Sequence, residues 1–215
     1  MGKPQFGYWN LRGLGQSIKF ALAYMGVDYE DVVYQDKEGD DTWTKQKPNL
    51  GLLCPNLPYW IDDKEKLSES RAILKYVIRK YKPALISSDI SKLVVVEEVE
   101  GIIDDIGRFF AMSVYSDTEA ANTLFDSMVP PKLEAISKVL GDKKFFLGDE
   151  LSYLDFVVYE IFYRLKTYRT KFIEGHKNLL SYVDNFEAIP AIDAYIKSPA
   201  YIKTPCYGRT AAKPI

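Results

Sequence analysis

The sequence predicts two regions of different class: an α/β unit over residues 1–82, a linker at 83–89, and an all-helical domain over 90–215. Three observations carry this. Within the first ~80 residues, strand-like and helix-like stretches alternate as β-α-β, a loop, then β-β-α, which implies a mixed sheet with helices on its faces. Lys82-Pro83 breaks that pattern. After Ser88 the apolar residues step by three and four, which is the period of a helix.

Taken in order, Gln5–Trp9 reads as a strand and Asn10-Leu11-Arg12-Gly13 as a turn. Ile18, Ala21, Leu22 and Met25 fall at i, i+3, i+4 and i+7 of a helix, with Gly26 closing it as the left-handed C′ residue. Tyr29–Tyr34, rich in Val and Tyr, suits a second strand. A polar loop follows at Lys37–Asp41. Leu57–Ile61 and Glu65–Leu67 are the third and fourth strands, joined by a turn at Asp62-Asp63. Ser70–Lys80 is helical, with Ile73, Leu74, Val77 and Ile78 on one face. In the second region, Val96, Val99, Ile103, Ile106 and Phe110 form the core-facing stripe of a long helix. Pro130-Pro131 is expected to interrupt or bend the next helical stretch, which Leu133, Ile136 and Leu140 continue and Gly141 ends. Ser152-x-x-Asp155 resembles a capping box, with Asp where Glu or Gln is usual. Pro190 suits the first turn of a last helix.

The bulk numbers narrow the function. A chain of 215 residues with 47% hydrophobic and 27% charged residues buries a sizeable core, and a net charge of -2 argues against a nucleic-acid footprint. No secretory signal and no apolar run long enough for a membrane span is read, so a cytoplasmic protein is expected. Cys54 and Cys206 sit in no C-x-x-C, and His176 is the only histidine. Zinc sites and Ser-His-Asp triads have little to build on, and no metal is expected. Both thiols read as inert and His176 as a surface loop residue.

Specific strings then sharpen the reading. Gly7-Tyr8-Trp9-Asn10-Leu11-Arg12-Gly13-Leu14 resembles the first strand and turn of mu-class cytosolic glutathione S-transferases. Pro55-Asn56-Leu57-Pro58-Tyr59-Trp60-Ile61-Asp62 resembles their third strand, and Glu69-Ser70-Arg71-Ala72-Ile73 the opening of their third helix. The likeness continues through Ser152–Tyr159 and Ala188–Tyr201, so it covers essentially the whole chain in order. It implies a thioredoxin-like N-terminal domain that binds glutathione and a helical domain that forms the electrophile site. The implied activity is conjugation of the glutathione thiolate to small hydrophobic electrophiles, as detoxification, by a homodimer. Glutathione is a co-substrate and no cofactor is implied.

The chemistry explains why these residues are needed. A free thiol with a pKa near 8.5 is only a few per cent thiolate at neutral pH. A hydrogen bond to the anion is worth roughly 1.5–3 kcal/mol, or about one to two pKa units. By resemblance Tyr8 supplies that hydroxyl; read alone, it would as readily pack between sheet and helix. The resemblance also implies that Leu57-Pro58 is a cis step presenting the Leu57 backbone to glutathione. Trp43 and Lys47 would hold the glycyl carboxylate, Asn56 adds a polar contact, and Trp9 and Leu14 line the same edge. Glu69 and Ser70 open a helix whose amides favour the γ-glutamyl carboxylate. Ser70 also reads as a simple N-cap. Mu members usually carry Gln at the Glu69 position. Asp105 would reach glutathione across the dimer, while Arg108, Met112 and Tyr115 would face the electrophile.

Two departures are visible. The Val33–Trp43 segment is short, so the loop over the mammalian active site is absent and the site is expected to be more open. Cys54 stands where the family commonly plugs a Phe into its partner, which implies a weaker dimer. Two alternatives stay open at this level: a glutathione-dependent isomerase or peroxidase, and a non-catalytic carrier of hydrophobic ligands on the same fold.

Overall fold

The computed structural model describes residues 2–212. Its N-terminal part is a four-stranded sheet in the order β2-β1-β3-β4. Strand β1 (Gln5–Trp9) pairs in parallel with β2 (Glu30–Tyr34) and antiparallel with β3 (Tyr59–Ile61), which in turn pairs antiparallel with β4 (Lys66–Ser68). Helices α1 (Gln16–Met25) and α3 (Ser70–Tyr81) accompany the sheet, and the short α2 (Thr42–Gln46) precedes β3. Gly26 closes α1 in the left-handed region, with φ 64°, as its place after Met25 predicts. Gly7 has no room for a side chain: a Cβ there would lie 2.1 Å from the Tyr59 ring. The close approach of β1 to β3 therefore needs glycine.

Among the described residues five α-helices follow: α4 (Ile90–Ser116), α5 (Glu119–Leu140), α6 (Asp155–Tyr168), α7 (Lys177–Glu187) and α8 (Pro190–Ile196). The stripe Val96, Val99, Ile103, Ile106 and Phe110 is buried along α4, as its spacing predicts. Helix α5 runs through Pro130 and Pro131 as one element, so the interruption expected there does not occur. Both prolines are exposed, so the carbonyls they leave unbonded face water. On the other face Phe125, Val129, Leu133, Ile136 and Leu140 are fully buried, and that burial outweighs the lost helical bonds.

The start of α6 is locked differently from the box the sequence implies. The buried Asp155 carboxylate accepts the Ser152 amide at 2.7 Å, the Ser152 hydroxyl at 2.9 Å and the Tyr182 hydroxyl at 2.8 Å. The serine hydroxyl thus donates to the acid instead of capping a backbone amide, and Tyr182 ties α7 to α6. Phe20 joins the two parts: its ring meets Tyr159, Phe186 and Tyr195 edge-on. Among the described residues no helix is long and apolar enough to cross a membrane.

Candidate functional site

Tyr8 stands near the carboxyl end of β1, 6% exposed, under the turn that leads into α1. That turn fits the ring because two glycines face it. A Cβ on Gly13 would lie 2.3 Å from the Tyr8 hydroxyl, and one on Gly15 would lie 2.4 Å from ring atom Cδ1. Gly13 also has φ +39°, which favours glycine on its own account. The Leu14 amide donates to the Tyr8 hydroxyl oxygen at 2.8 Å. Burial pushes the hydroxyl pKa up to about 12, with the Leu14 bond and the Arg164 charge pulling the other way. The group therefore stays protonated at neutral pH. An oxygen that already accepts a bond, with its proton in place, is built to donate to an anion and not to act as a base.

Tyr8, Trp9 and Leu14 open onto a cavity of about 760 Å³. Its far wall is apolar, from Ile103, Ala111, Val157 and Ile161 of α4 and α6. Tyr115 and Arg108 stand on α4 at the same cavity. A C-terminal strap completes the wall. The amides of Arg12 and Gly13 donate to the carbonyls of Pro205 and Cys206, at 2.9 and 3.1 Å. Further along, the Gly208 amide donates to the Tyr115 hydroxyl at 3.3 Å, and the Arg209 amide to Asp36 at 2.6 Å. Cys206 is buried in this wall and its thiol is pushed up by burial, which keeps it neutral.

The stripe expected on α4 holds in part: Arg108 and Tyr115 line the cavity, with Asp104 and Ala111, and Met112 does not. Asp105, expected to reach the glutathione of the partner subunit, lies outside the lining of its own cavity. Burial of the core stripe fixes the helix about its axis and turns Asp105 toward α5. There its carboxylate accepts from Lys132 at 2.7 Å, and that bond holds its pKa below the usual value. Asp104 pairs instead with Arg71 of α3.

The other expected residues gather beside the sheet, outside the lining of that cavity apart from Ser70. Trp43 stacks on Tyr59 with centroids 6.2 Å apart, and the Lys47 ammonium lies 6.0 Å from the Trp43 ring with its side chain in solvent. Asn56 is exposed, its amide at 3.5 Å from Glu69, and Leu57 is buried before a cis peptide bond to Pro58. Glu69 has φ +73°, rare for a residue with a side chain, and no side chain caps the start of α3. Ser70 is the first residue of that helix, so its N-cap reading does not hold: the cap position belongs to Glu69. Such a conformation costs about 1–3 kcal/mol and concentrates at functional sites.

Sequence reasoning missed one buried charged cluster. Arg12, fully buried, donates to Glu160 at 2.5 and 3.3 Å, and its guanidinium sits 4.1 Å from the Tyr163 ring centroid. Arg164, one turn beyond Glu160 on α6, donates to the Gly13 carbonyl at 2.6 Å. The available signal was an acidic and a basic residue at i, i+4, Glu160 and Arg164, inside the otherwise apolar and aromatic run 156–165 of α6. Among the described residues no cluster of His, Cys, Asp or Glu could hold a metal ion.

The chain matches the family description "Glutathione S-transferase, N-terminal domain" over residues 4–79 and "Glutathione S-transferase, C-terminal domain" over 104–199. It is 34% identical over 197 residues to glutathione S-transferase Mu 1 of Bos taurus, covering 89% of each chain. It is 36% identical over 199 residues to a glutathione S-transferase of Tyrophagus putrescentiae, covering 91% of this chain and 90% of that one. The crystal structure of the glutathione S-transferase Blo t 8 superposes with a TM-score of 0.79 at 27% identity, over 96% of this chain and 98% of that chain. A pi-class enzyme of Onchocerca volvulus shares the fold, with a TM-score of 0.83 at 19% identity.

Proposed function

We propose, from the premise that this chain belongs to the glutathione S-transferase family, that it conjugates glutathione to small apolar electrophiles as a cytoplasmic homodimer serving detoxification. The observation that carries this reading is the Tyr8 hydroxyl: protonated, pinned by the Leu14 amide and open to the cavity. Glutathione lies along the sheet edge. Lys47 and Trp43 take its glycyl carboxylate, the Leu57 backbone and Asn56 its middle, and Glu69, Ser70 and the uncapped amides of α3 its γ-glutamyl end. The thiol loses its proton to water, and Tyr8 donates to the sulfur anion. The thiolate attacks the electrophile, forming the C–S bond and either expelling the leaving group as an anion or adding to a double bond, whose displaced electron pair then takes a proton from water. No metal or nucleotide takes part. The apolar wall of α4 and α6 holds the electrophile, with Tyr115 as a hydrogen-bond donor to it and Arg108 at the edge.

Cys54 and Leu53 are both exposed beside this edge, where an aromatic plug is missing, so the dimer is held by other contacts and is weak. Sedimentation showing a tight dimer at nanomolar concentration contradicts that part. The test of the activity is a conjugation assay with glutathione and an activated aryl chloride. The expected result is glutathione-dependent product in wild type and a loss of about one to two orders of magnitude in Tyr8→Phe. Equal rates in the two proteins contradict the reading.

A further inference from the structure

The carbonyl that Arg164 holds and the amide that holds Tyr8 belong to one peptide group. Arg164 Nη2 donates to the Gly13 carbonyl at 2.6 Å, and the Leu14 amide on the other side of the same C–N bond donates to the Tyr8 hydroxyl at 2.8 Å. A cation on a carbonyl oxygen draws charge across the amide and makes its N–H a better donor, because bonds in a chain polarise one another. A phenol oxygen that accepts a stronger bond gives up its own proton more readily to an acceptor. We propose that Arg164 is a positioning residue that acts on the sulfur of glutathione through the Gly13–Leu14 peptide and Tyr8. The inference rests on the thiolate reading of Tyr8 and adds a residue to it.

Three further observations support it. First, the charge is real and incompletely compensated. Arg12 and Arg164 share the single carboxylate of Glu160, which sits at 2.5 Å from Arg12 and 3.6 Å from Arg164, so this buried cluster carries one excess positive charge. Second, Arg164 is committed to this place. It is 6% exposed, its Nη1 donates to Tyr207 at 3.3 Å, and its Nε has no partner among the described residues. A buried guanidinium left with an unpaired N–H is a cost that packing alone does not repay. Third, the remaining groups around the relay do not cancel it. Tyr207 and the Cys206 thiol face Arg164 from the C-terminal strap, and both are pushed up and neutral at pH 7. Around Tyr8 stand Tyr115 from α4 and Asp36 after β2, and the Asp36 carboxylate is paired with Arg209 at 3.4 Å.

The test is a double-mutant cycle read as the pKa of enzyme-bound glutathione, followed by thiolate absorbance. Arg164→Met, which keeps the apolar stem and loses the donor, is expected to raise that pKa by at least about half a unit while Tyr8 is present. Arg164→Lys restores most of the shift. In the Tyr8→Phe background Arg164→Met produces no further change, because the relay ends at the missing hydroxyl. A wild-type pKa of bound glutathione in Arg164→Met overturns the proposal. An equal rise in both backgrounds also overturns it, since the charge would then act directly through space. Should Arg164→Met not fold, Arg164→Gln keeps a neutral donor to the Gly13 carbonyl and gives a smaller rise of the same sign; a wild-type pKa in that variant overturns the proposal equally. A Tyr8→Phe protein whose bound thiol titrates as in wild type removes the thiolate reading itself, and the relay with it.

Discussion

Gly15→Ala separates the position of Tyr8 from its chemistry, because it leaves the hydroxyl in place and moves the ring. Gly15 has φ -81° and ψ -28°, a right-handed conformation that alanine adopts without strain. Where the backbone already suits alanine, the exchange restricts the unfolded chain and by itself stabilises by about 0.4–1 kcal/mol, which the weaker preference for alanine at a helix N-cap offsets. The new methyl, however, would lie 2.4 Å from Cδ1 and 2.8 Å from Cγ of Tyr8, well inside ordinary contact distance. The ring is nearly buried and must shift by about 1 Å. Overpacking of this kind costs about 1–3 kcal/mol, which leaves a net loss of about 1 kcal/mol in urea unfolding. The functional loss is larger: a misplacement of about 1 Å at a catalytic group costs on the order of 100-fold, read as kcat/KM for an aryl chloride. Gly26→Ala is the control. Its φ of 64° makes alanine strained, but nothing lies within 4 Å of the added carbon. It should lose about 1 kcal/mol of stability and keep full activity. A Gly15→Ala enzyme with wild-type kcat/KM would refute the claim that this glycine cradle places the hydroxyl.

Other perturbations have equally definite outcomes. Lys47→Met removes the cation proposed for the glycyl carboxylate and should raise the KM for glutathione about tenfold with kcat spared, as steady-state kinetics would show. Asp155→Ala strands the buried Tyr182 hydroxyl and Ser152 amide and should cost about 3 kcal/mol in denaturant unfolding, with no change in the pH profile of any activity retained. Asp62 accepts from Lys80, Trp60 and the amides of Lys64 and Glu65; burial works against its charge, but these donors hold its carboxyl well below the usual range. A depressed carboxyl pKa gives stability that is present above about pH 4 and lost as pH falls through the folded value. The stability gap between wild type and Asp62→Asn should therefore be full at neutral pH and close in acid; a gap that widens in acid contradicts the assignment.

Local pattern carries much of this fold. The five-residue stripe of α4 is legible because a step of three and four has one physical meaning, and the structure buries each of its members. Gly26 after Met25 is legible because only one backbone region suits glycine at a helix end. The prolines of α5 mislead for the opposite reason: their cost is local, whereas the burial that overrides it comes from the facing helices. Helix α7 repeats the three-and-four step in Leu179, Tyr182, Val183 and Phe186, and its burial shows that the signal was present there too.

The site divides the same way. Tyr8 stands out because its flanking residues form a recognisable string. Which side of α4 faces the cavity depends on how neighbouring helices rotate it, so Met112 could not be separated from Ala111 by spacing alone. The contact of Arg12 with Glu160 spans 148 residues of chain, and that of Arg164 with Gly13 spans 151. No periodicity records pairings at that separation. They exist only once α6 has packed under the first turn.

Tyr8 favours the thiolate of glutathione by donating a hydrogen bond to it. The most direct test of that role is the ultraviolet absorbance of bound glutathione, titrated from about pH 5 to about pH 9 in wild type and Tyr8→Phe. The wild-type pKa is expected about one to two units below that of the free thiol, with a return to the free value in the variant. A thiol that binds both proteins and titrates normally in both would contradict it.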